Sequence, residues 1–328
     1  MKRHANLAFF IPHLGCPYQC VYCNQREITG EADNPSFEEV SAKCEAFLPS
    51  DGSRTEIAFF GGSFTAIPRD QMIGYLRAAF PFVEQRRAEG IRLSTRPDAI
   101  DGEVLDLIRQ YGVTSVELGA QSMDDRVLLR NGRGHDSVSV RAAAQMIREH
   151  GFSLGLQMMV GLYGADDPMR DAQETAEAFV GMRPDTVRIY PTLVVDRTPL
   201  AALFREGKYH PLSVEEAVTI ISGILPVFRS NGIRVIRVGL HAEESLRREV
   251  LAGPFHPAFG ELCESRIFRE EIERTANGAD HIIVRCAPRL ESQVRGQNRE
   301  NITYFSARGI EIRVMPDAAV DRIEIEVP

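Results

Sequence analysis

Residues 12–30, PHLGCPYQCVYCNQREITG, place three cysteines close together directly after an apolar run. Cys16, Cys20 and Cys23 follow a C-x3-C-x2-C spacing, and the aromatic residue Tyr22 precedes the third cysteine. Three thiolates on one short loop can bind three irons of a 4Fe–4S cluster, which leaves the fourth iron without a cysteine. A small molecule can coordinate such an open iron and accept an electron from it. The spacing therefore predicts an iron–sulfur centre with one open coordination position.

A structural zinc ion is the alternative interpretation of the same loop. Zinc needs a fourth ligand, and His13 is close enough in sequence to supply it. Zinc ligands usually come as two spaced pairs, however, and the chain has no second C-x2-C pair. The cysteine spacing thus favours the cluster and leaves zinc as the weaker alternative.

The composition is that of an ordinary globular protein, since 44% of the 328 residues are apolar and 26% are charged. No apolar run approaches the roughly 18 residues that cross a bilayer, so no membrane partner is expected. The net charge of −8 does not favour nucleic acid unless basic residues cluster locally. Cys44, Cys263 and Cys286 lie in apolar helix-like or strand-like patterns and are expected to pack in cores. Cysteines used in this way fit a reducing compartment, and a cytoplasmic protein is predicted.

Apolar strand-like runs alternate with helix-like segments over the first 190 residues. The strand-like runs are 6–11, 55–60, 91–95, 114–118, 153–159 and 186–190, and the helix-like segments are 36–48, 69–88, 101–112, 136–150 and 170–182. This alternation predicts a parallel sheet covered by helices. Six such units predict a partial (β/α)6 barrel of the TIM type, which is open and leaves room for a cofactor and a substrate. The cysteine loop follows the first strand, at the end of the barrel where functional loops emerge.

Three structural units are predicted along the chain. Residues 1–210 form the partial barrel, and residues 211–277 form a helical extension that packs on it. Residues 278–328 form a small α/β domain with a strand, a helix and two further strands, at 280–286, 290–307, 310–315 and 321–327.

Polar and glycine-rich segments follow several of the predicted strands. Gly61-Gly62-Ser63 ends the second strand, and adjacent glycines there let a ligand approach the backbone closely. Arg133 lies between two glycines in the segment 131–135, where its guanidinium suits a bidentate contact with a carboxylate. Because function collects on the loops at this end of a barrel, these segments predict a binding site.

The cysteine spacing, the aromatic residue and the Gly-Gly segment resemble the radical S-adenosylmethionine (SAM) superfamily. The resemblance is closer to the radical SAM half of the Elongator catalytic subunit and covers residues 5–275. More distantly, the chain is similar to oxygen-independent coproporphyrinogen oxidase. The motifs that carry the closer resemblance are TRPD at 95–98, ELGAQS at 117–122, NGRGH at 131–135, IYPTLV at 189–194 and LFREGKY at 203–209.

The resemblance implies a set of site residues. Cys16, Cys20 and Cys23 would bind the 4Fe–4S cluster. The positions that match cofactor contacts are Tyr22, Gly61, Gly62, Ser63, Ser94, Gln121, Arg133 and Gln157. Ser63, Ser94 and Gln157 depart from the family, which usually has an acid at the first two positions and an acid or histidine at the third. Tyr190 and His135 are candidates for the substrate side.

The resemblance also implies an activity, in which the reduced cluster cleaves SAM to a 5′-deoxyadenosyl radical that abstracts hydrogen from a substrate. A tRNA base or a small metabolite is the expected substrate, and a flavodoxin or ferredoxin is the expected electron donor. The alternative is a non-catalytic protein that carries a cluster with SAM, or haem. About fifty residues follow the region of resemblance, so an acetyltransferase domain like that of the Elongator subunit is not expected.

Overall fold

A curved sheet of parallel strands forms the centre of the computed structural model. The structure describes residues 5–12, 14–16, 19–24, 33–50, 55–240, 244–276 and 278–327, and for residue 245 the backbone alone. The strands in chain order are β1 Ala5–Ile11, β2 Thr55–Gly61, β3 Gly90–Thr95, β4 Val113–Gln121, β5 Ser153–Val160, β6 Thr186–Pro191, β7 Val194–Val195, β8 Arg234–Val238, β9 Val250–Ala252, β10 His281–Cys286, β11 Glu311–Pro316 and β12 Ile323–Glu326. Seven of them form the main sheet in the order β1-β2-β3-β4-β5-β6-β8, and all pair in parallel.

Helices cover the outer face of this sheet. The helices of the described residues are α1 Phe37–Phe47, α2 Arg69–Glu84, α3 Gly102–Gln110, α4 Asp125–Arg130, α5 Ser137–Glu149, α6 Pro168–Met182, α7 Pro199–Arg205, α8 Val214–Ser230, α9 Glu244–Glu249, α10 Phe259–Ala276, α11 Glu291–Arg295 and α12 Glu300–Ser306. Local capping fixes several starts: Ser36 and Glu39 form a capping box at α1, and the Asp101 carboxylate accepts a hydrogen bond from the Val104 N–H at α3. The helices of the first half bury apolar stripes against strand residues such as Ile57, Leu93 and Leu118, which are fully buried.

The partial TIM-type barrel predicted from the sequence is confirmed, and it carries a seventh strand. The sequence also predicts a strand at 233–238, within the unit 211–277, and the structure pairs this strand, β8, with β6 at the edge of the sheet. This short strand has two arginines and one isoleucine among the residues that line the cavity, so it lacks the continuous apolar pattern of a central strand. Its place in the sheet is therefore known from its pairing and not from its composition.

The C-terminal part has the predicted strand–helix–strand–strand order. Here β10 pairs in parallel with β11 and antiparallel with β12. Its apolar side packs on α10, where Phe268 and Ile272 join the core of this small sheet. On the same helix Phe259 and Cys263 belong to the core of the barrel. The unit boundaries near residues 210 and 277 stay predictions, and Asn277 itself lies outside the described residues.

Within the described residues, every helix is too short or too polar to cross a lipid bilayer.

Candidate functional site

A cavity of about 660 Å³ occupies the inner face of the curved sheet. All seven strands of the sheet contribute to its lining, and so do the three cysteines of the loop after β1. Of the other residues predicted for the site, Tyr22, Gly61, Gly62, Ser94, Gln121, Arg133, Gln157 and Tyr190 also line this cavity. The fold therefore brings together residues that are up to 174 positions apart in the sequence, from Cys16 to Tyr190.

The cysteine loop lies directly on the glycines at the end of β2. The Gly62 N–H donates to the Ile11 carbonyl at 2.8 Å, and the Ser63 N–H donates to the Leu14 carbonyl at 3.0 Å. A Cβ atom on Gly62 would lie 2.0 Å from the carbonyl oxygen of Leu14, which is backbone and has little freedom to move. The Gly-Gly segment is therefore needed for the loop to seat on the sheet, apart from any contact with a ligand.

Arg133 ties the cysteine loop to β4. Its Nη1 donates to the Cys20 Sγ at 3.2 Å and to the Tyr22 hydroxyl at 3.3 Å, while Nη2 donates to the Gly119 carbonyl. Burial alone would lower the pKa of Arg133, but the neighbouring Tyr22 oxygen and Cys20 sulfur, which accept its hydrogen bonds, raise it above its ordinary value. Burial raises the pKa of Tyr22 in turn, so the phenol stays neutral. Arg133 thus places a positive charge beside one of the three thiols of the loop.

The donor set of the loop fits an iron–sulfur cluster. Among the described residues, no three histidine, cysteine or carboxylate side chains are close enough together to surround a single metal ion. A zinc ion would gather its thiolates at about 2.3 Å around one atom, whereas a 4Fe–4S cluster takes one cysteine on each of several irons. Three thiols that line one cavity can each bind one iron of a cluster. His13, the alternative zinc ligand, lies outside the described residues.

Ser63 was predicted to contact the cofactor, but it is buried behind the cavity surface and is not among the residues that line the cavity. Its hydroxyl accepts a hydrogen bond from the Arg96 N–H at 3.0 Å and lies 3.2 Å from the Thr95 hydroxyl, and its side chain is fully buried. The Thr65 hydroxyl continues this network to the Ala99 carbonyl at 2.6 Å. The structure thus places Ser63 where it holds the loop after β3 against the end of β2.

Two glutamines lie side by side, Gln121 at the end of β4 and Gln157 within β5. The Gln157 amide donates to the Gln121 side-chain oxygen at 3.2 Å. Gln121 has a φ of 73°, a left-handed conformation that is rare for residues other than glycine, asparagine and aspartate. Such a conformation is held by its surroundings and is common where a side chain is aimed at a ligand.

A charged cluster lines the cavity beyond the glutamines, and sequence reasoning missed most of it. The Arg188 Nε donates to the Glu117 carboxylate at 2.8 Å, and the Ser94 hydroxyl donates to the same carboxylate at 3.3 Å. The Tyr190 hydroxyl accepts from Arg188 at 3.5 Å. Charged residues inside the otherwise apolar runs of β4 and β6 are the signal that could have identified this cluster.

His135 lies apart from the cavity surface. Its side chain has no exposed area, with Nε2 at 3.4 Å from the Ala120 carbonyl and Nδ1 at 4.0 Å from Asp98. Burial and the neighbouring positive charge of Arg133 lower the pKa of His135 to about 4. The imidazole is neutral and enclosed by protein, so it is better placed to support the packing around Arg133 than to contact a substrate.

Comparison with known families identifies the superfamily of the chain. Residues 10–178 match the family model of the radical SAM superfamily, and residues 184–269 match the model of the radical SAM C-terminal domain. The chain belongs to the radical SAM superfamily. Members of this superfamily bind a 4Fe–4S cluster and SAM, which agrees with the three thiols that the cavity presents.

Relatives of known name support the resemblance seen in the sequence. The radical SAM chain is 26% identical to a protein named tRNA uridine(34) acetyltransferase from Dehalococcoides mccartyi, over 69% of this chain and 56% of the relative. Its fold is similar to the solved structure of Elp3 from Methanocaldococcus infernus, with a TM-score of 0.66 and 20% identity over 81% of this chain and 63% of the other. Coproporphyrinogen III oxidase from Escherichia coli is more distant, with a TM-score of 0.51 and 17% identity over 70% of this chain and 53% of the other. The chain thus spans about half to two thirds of these proteins.

Proposed function

We propose that the protein binds a 4Fe–4S cluster through Cys16, Cys20 and Cys23 and cleaves SAM reductively in the cavity of the barrel. The observation that carries this proposal is that the three thiols line the same cavity as the Gly61-Gly62 strand end and Arg133. When bound, the cluster and SAM supply a 5′-deoxyadenosyl radical that abstracts hydrogen from a substrate.

The residues of the cavity have separate roles in this proposal. Gly61 and Gly62 let SAM approach the end of β2, because neither carries a side chain that would fill the space. Gln121 and Gln157 present amide groups from neighbouring strands, and Ser94 lies beside them on β3. Arg133 offers a positive charge to the carboxylate of SAM while it holds the loop, and Tyr22 packs beside it. Ser63 acts indirectly, by supporting the residues around the cavity, since its hydroxyl already accepts a hydrogen bond from the Arg96 N–H.

Apolar side chains keep water away from the reacting groups. Phe10, Phe60, Met159, Leu193, Val195 and Leu240 line the cavity together with the polar groups. A radical that abstracts hydrogen needs such an enclosed site, because exclusion of solvent suppresses side reactions. Tyr190 lies among these residues and is the candidate for contact with the substrate.

Cluster assembly and SAM cleavage test this proposal. Anaerobically reconstituted protein is expected to contain about four irons per chain and to form 5′-deoxyadenosine from SAM with dithionite. The Cys20→Ala variant should lose both the cluster and the cleavage activity. Cys286→Ala is the matched control, because Cys286 is a buried cysteine in the small C-terminal sheet. A Cys20→Ala variant with a full cluster and wild-type cleavage would sink the assignment, and a loaded cluster that leaves SAM intact would favour a carrier.

A tRNA nucleobase is the proposed substrate, with a flavodoxin or ferredoxin as the electron donor in the cytoplasm. The support is the similarity to a protein named for a tRNA uridine modification. Addition of bulk tRNA should stimulate 5′-deoxyadenosine formation above the rate with SAM alone. An unchanged rate with tRNA, together with stimulation by a small-molecule extract, would assign the substrate to a small metabolite.

A further inference from the structure

Among the described residues, six arginines and one carboxylate line the cavity. The arginines are Arg92, Arg96, Arg133, Arg188, Arg234 and Arg237, and the carboxylate is Glu117. Several of these positive charges are neutralised locally by ion pairs: Arg92 with Glu56 at 2.8 Å, Arg96 with Asp98 at 2.9 Å, and Arg188 with Glu117 at 2.8 Å. The other three are Arg133, which lies beside Cys20, and Arg234 and Arg237, which both lie on β8.

Arg237 lacks a carboxylate partner within the described part of the chain. Its Nε donates to the Gly239 carbonyl at 2.7 Å, which is a neutral acceptor. The side chain is half-buried, and the positive charge of Arg188 is close enough to act on it. Burial and the repulsion from Arg188 lower the pKa of Arg237, as expected for a cation without a counter-charge.

The pairing of β6 with β8 sets Arg237 beside Arg188. Their Cα atoms are register partners, so the two side chains leave neighbouring strands at the same level of the sheet. Val187 pairs with Val235, which leaves Ile236 as an extra residue in β8. A bulge of this kind redirects side chains, and here both Ile236 and Arg237 line the cavity.

Two like charges directly opposite each other destabilise a sheet, and Glu117 can neutralise only one of them. Arg237 is half-buried and has no carboxylate partner among the described residues, which adds to this cost. A negatively charged ligand would offset both the repulsion between the two arginines and the cost of burying Arg237. The geometry of two adjacent guanidinium groups matches the oxygens of a phosphate or a carboxylate.

We propose that Arg237, with Arg188 beside it, binds an oxyanionic group of the substrate, either a phosphate or a carboxylate. The inference rests on the proposed function, because it describes the substrate of the same cavity. The oxyanion lies against β6 and β8, on the opposite edge of the sheet order from the strand that leads into the cysteine loop. The apolar Ile236 and Phe60 flank this position and suit the uncharged part of the same molecule.

Equilibrium dialysis tests the anion site without any catalytic step. Reconstituted protein saturated with SAM, and kept without reductant, is dialysed against labelled inorganic phosphate or labelled acetate at low ionic strength. Tighter saturable binding of phosphate would identify a phosphate site, and tighter binding of acetate a carboxylate site. Absence of saturable binding of both anions would overturn the proposal.

Variants at Arg237 connect the binding to this residue. Arg237→Gln should raise the Kd of the preferred anion by about tenfold or more, since a charge-assisted hydrogen bond is lost. Arg237→Lys keeps the charge and should lose less. Arg126→Gln is the matched control, because it removes the same charge from a side chain that is 80% exposed on the surface, and its Kd should stay within about twofold of wild type. An Arg237→Gln variant that binds like the wild type, or an equal loss in both glutamine variants, would contradict the proposal.

The outcome is separable from that of the cleavage assay. Anion binding that depends on Arg237 in a protein that forms no 5′-deoxyadenosine would contradict the proposed function and support the anion site. Cleavage of SAM by a protein that binds neither anion would support the proposed function and contradict the anion site.

Discussion

At the scale of single residues, Arg133 connects the cysteine loop to the wall of the barrel. Its guanidinium lies 3.2 Å from the sulfur of Cys20, which is a proposed cluster ligand. Hydrogen bonds and positive charge next to a ligand sulfur stabilise the more negative, reduced state of a cluster and so raise its reduction potential. The structure thus gives Arg133 an influence on electron uptake as well as on SAM.

Replacement of Arg133 should therefore lower the reduction potential of the cluster. Arg133→Met removes the charge and the hydrogen bond, and Arg133→Lys keeps the charge and is expected to lie between Met and wild type. A redox titration followed by electron paramagnetic resonance gives the potentials directly, with the exposed Arg126→Met as control. A fully loaded Arg133→Met protein with the wild-type potential would show that the contact to Cys20 has no electronic effect.

His135 makes the stability of the fold depend on pH. The pKa is about 4 in the folded protein and about 6.5 in an unfolded chain, so the folded state favours the neutral imidazole. Below pH 6.5 the unfolded chain takes up a proton that the folded chain does not bind until pH 4. The contribution of His135 is therefore present above pH 6.5 and is lost as the pH falls towards 4, by roughly 2–3 kcal/mol.

The comparison of wild type with His135→Gln isolates this effect. Burial raises the pKa of Asp171 to about 6, and this carboxyl acts in the opposite direction over part of the same range. Both proteins contain Asp171, so the difference between their unfolding free energies reports His135 alone. Urea denaturation at pH 7 and pH 4.5 should show a smaller pH-dependent loss for His135→Gln. Equal losses in the two proteins would mean that His135 titrates normally.

At the scale of elements, the end of β2 and the cysteine loop form one packed unit. In Gly62→Ala, the new Cβ atom would lie 2.0 Å from the carbonyl oxygen of Leu14. Because the obstacle is backbone, the loop must shift, at a cost of about 1–3 kcal/mol in the free energy of unfolding. Iron content after reconstitution should fall along with stability, because the displaced loop carries the three thiols.

Gly181→Ala in α6 provides the control for this change. No neighbouring atom lies within 4 Å of a Cβ at that position, and alanine in a helix is favoured over glycine by about 0.5–1 kcal/mol. This variant should be slightly more stable than wild type and bind iron normally. A Gly62→Ala protein with full iron content would indicate that the loop tolerates a different seating.

At the scale of the whole molecule, α10 couples the barrel to the C-terminal sheet. One set of its side chains, including Phe259 and Cys263, lies in the barrel core, and another, including Phe268 and Ile272, lies in the core of the small sheet. A buried hydrogen bond from the Asn301 side chain to the Ser265 carbonyl at 2.9 Å adds to this connection. Neither core can lose α10 without exposing apolar surface.

Phe268→Ala should consequently destabilise the molecule as a unit. Phe268 is 2% exposed, and such a truncation costs about 3–5 kcal/mol in the free energy of unfolding. Calorimetry is expected to show one transition at a lower temperature, whereas Phe47→Ala, at a site that is 70% exposed, should change it little. A separate early transition for the C-terminal sheet, with the main transition unmoved, would show that the two parts unfold independently.

Local patterns determined much of this architecture. The strand predicted at 55–60 is β2 at Thr55–Gly61, and the helix predicted at 170–182 is α6 at Pro168–Met182. Apolar periodicity and capping residues act over a few positions, so the sequence alone shows them. The cysteine spacing is equally local, and its place after the first strand predicted the end of the barrel at which the thiols lie.

Only the tertiary structure decided which distant side chains meet. Arg188 and Arg237 are register partners because β8 joins the sheet beside β6 with a bulge, and no local pattern encodes that pairing. Likewise, Glu117 reaches Ser94 and Arg188 because β3, β4 and β6 present these side chains to one cavity, although β5 separates β4 from β6 in the sheet. His135, which the sequence placed with the substrate, is enclosed by protein. Strand order and register depend on the packing of the whole core, so the charge of the cavity follows from the fold and could not be read from residue spacing.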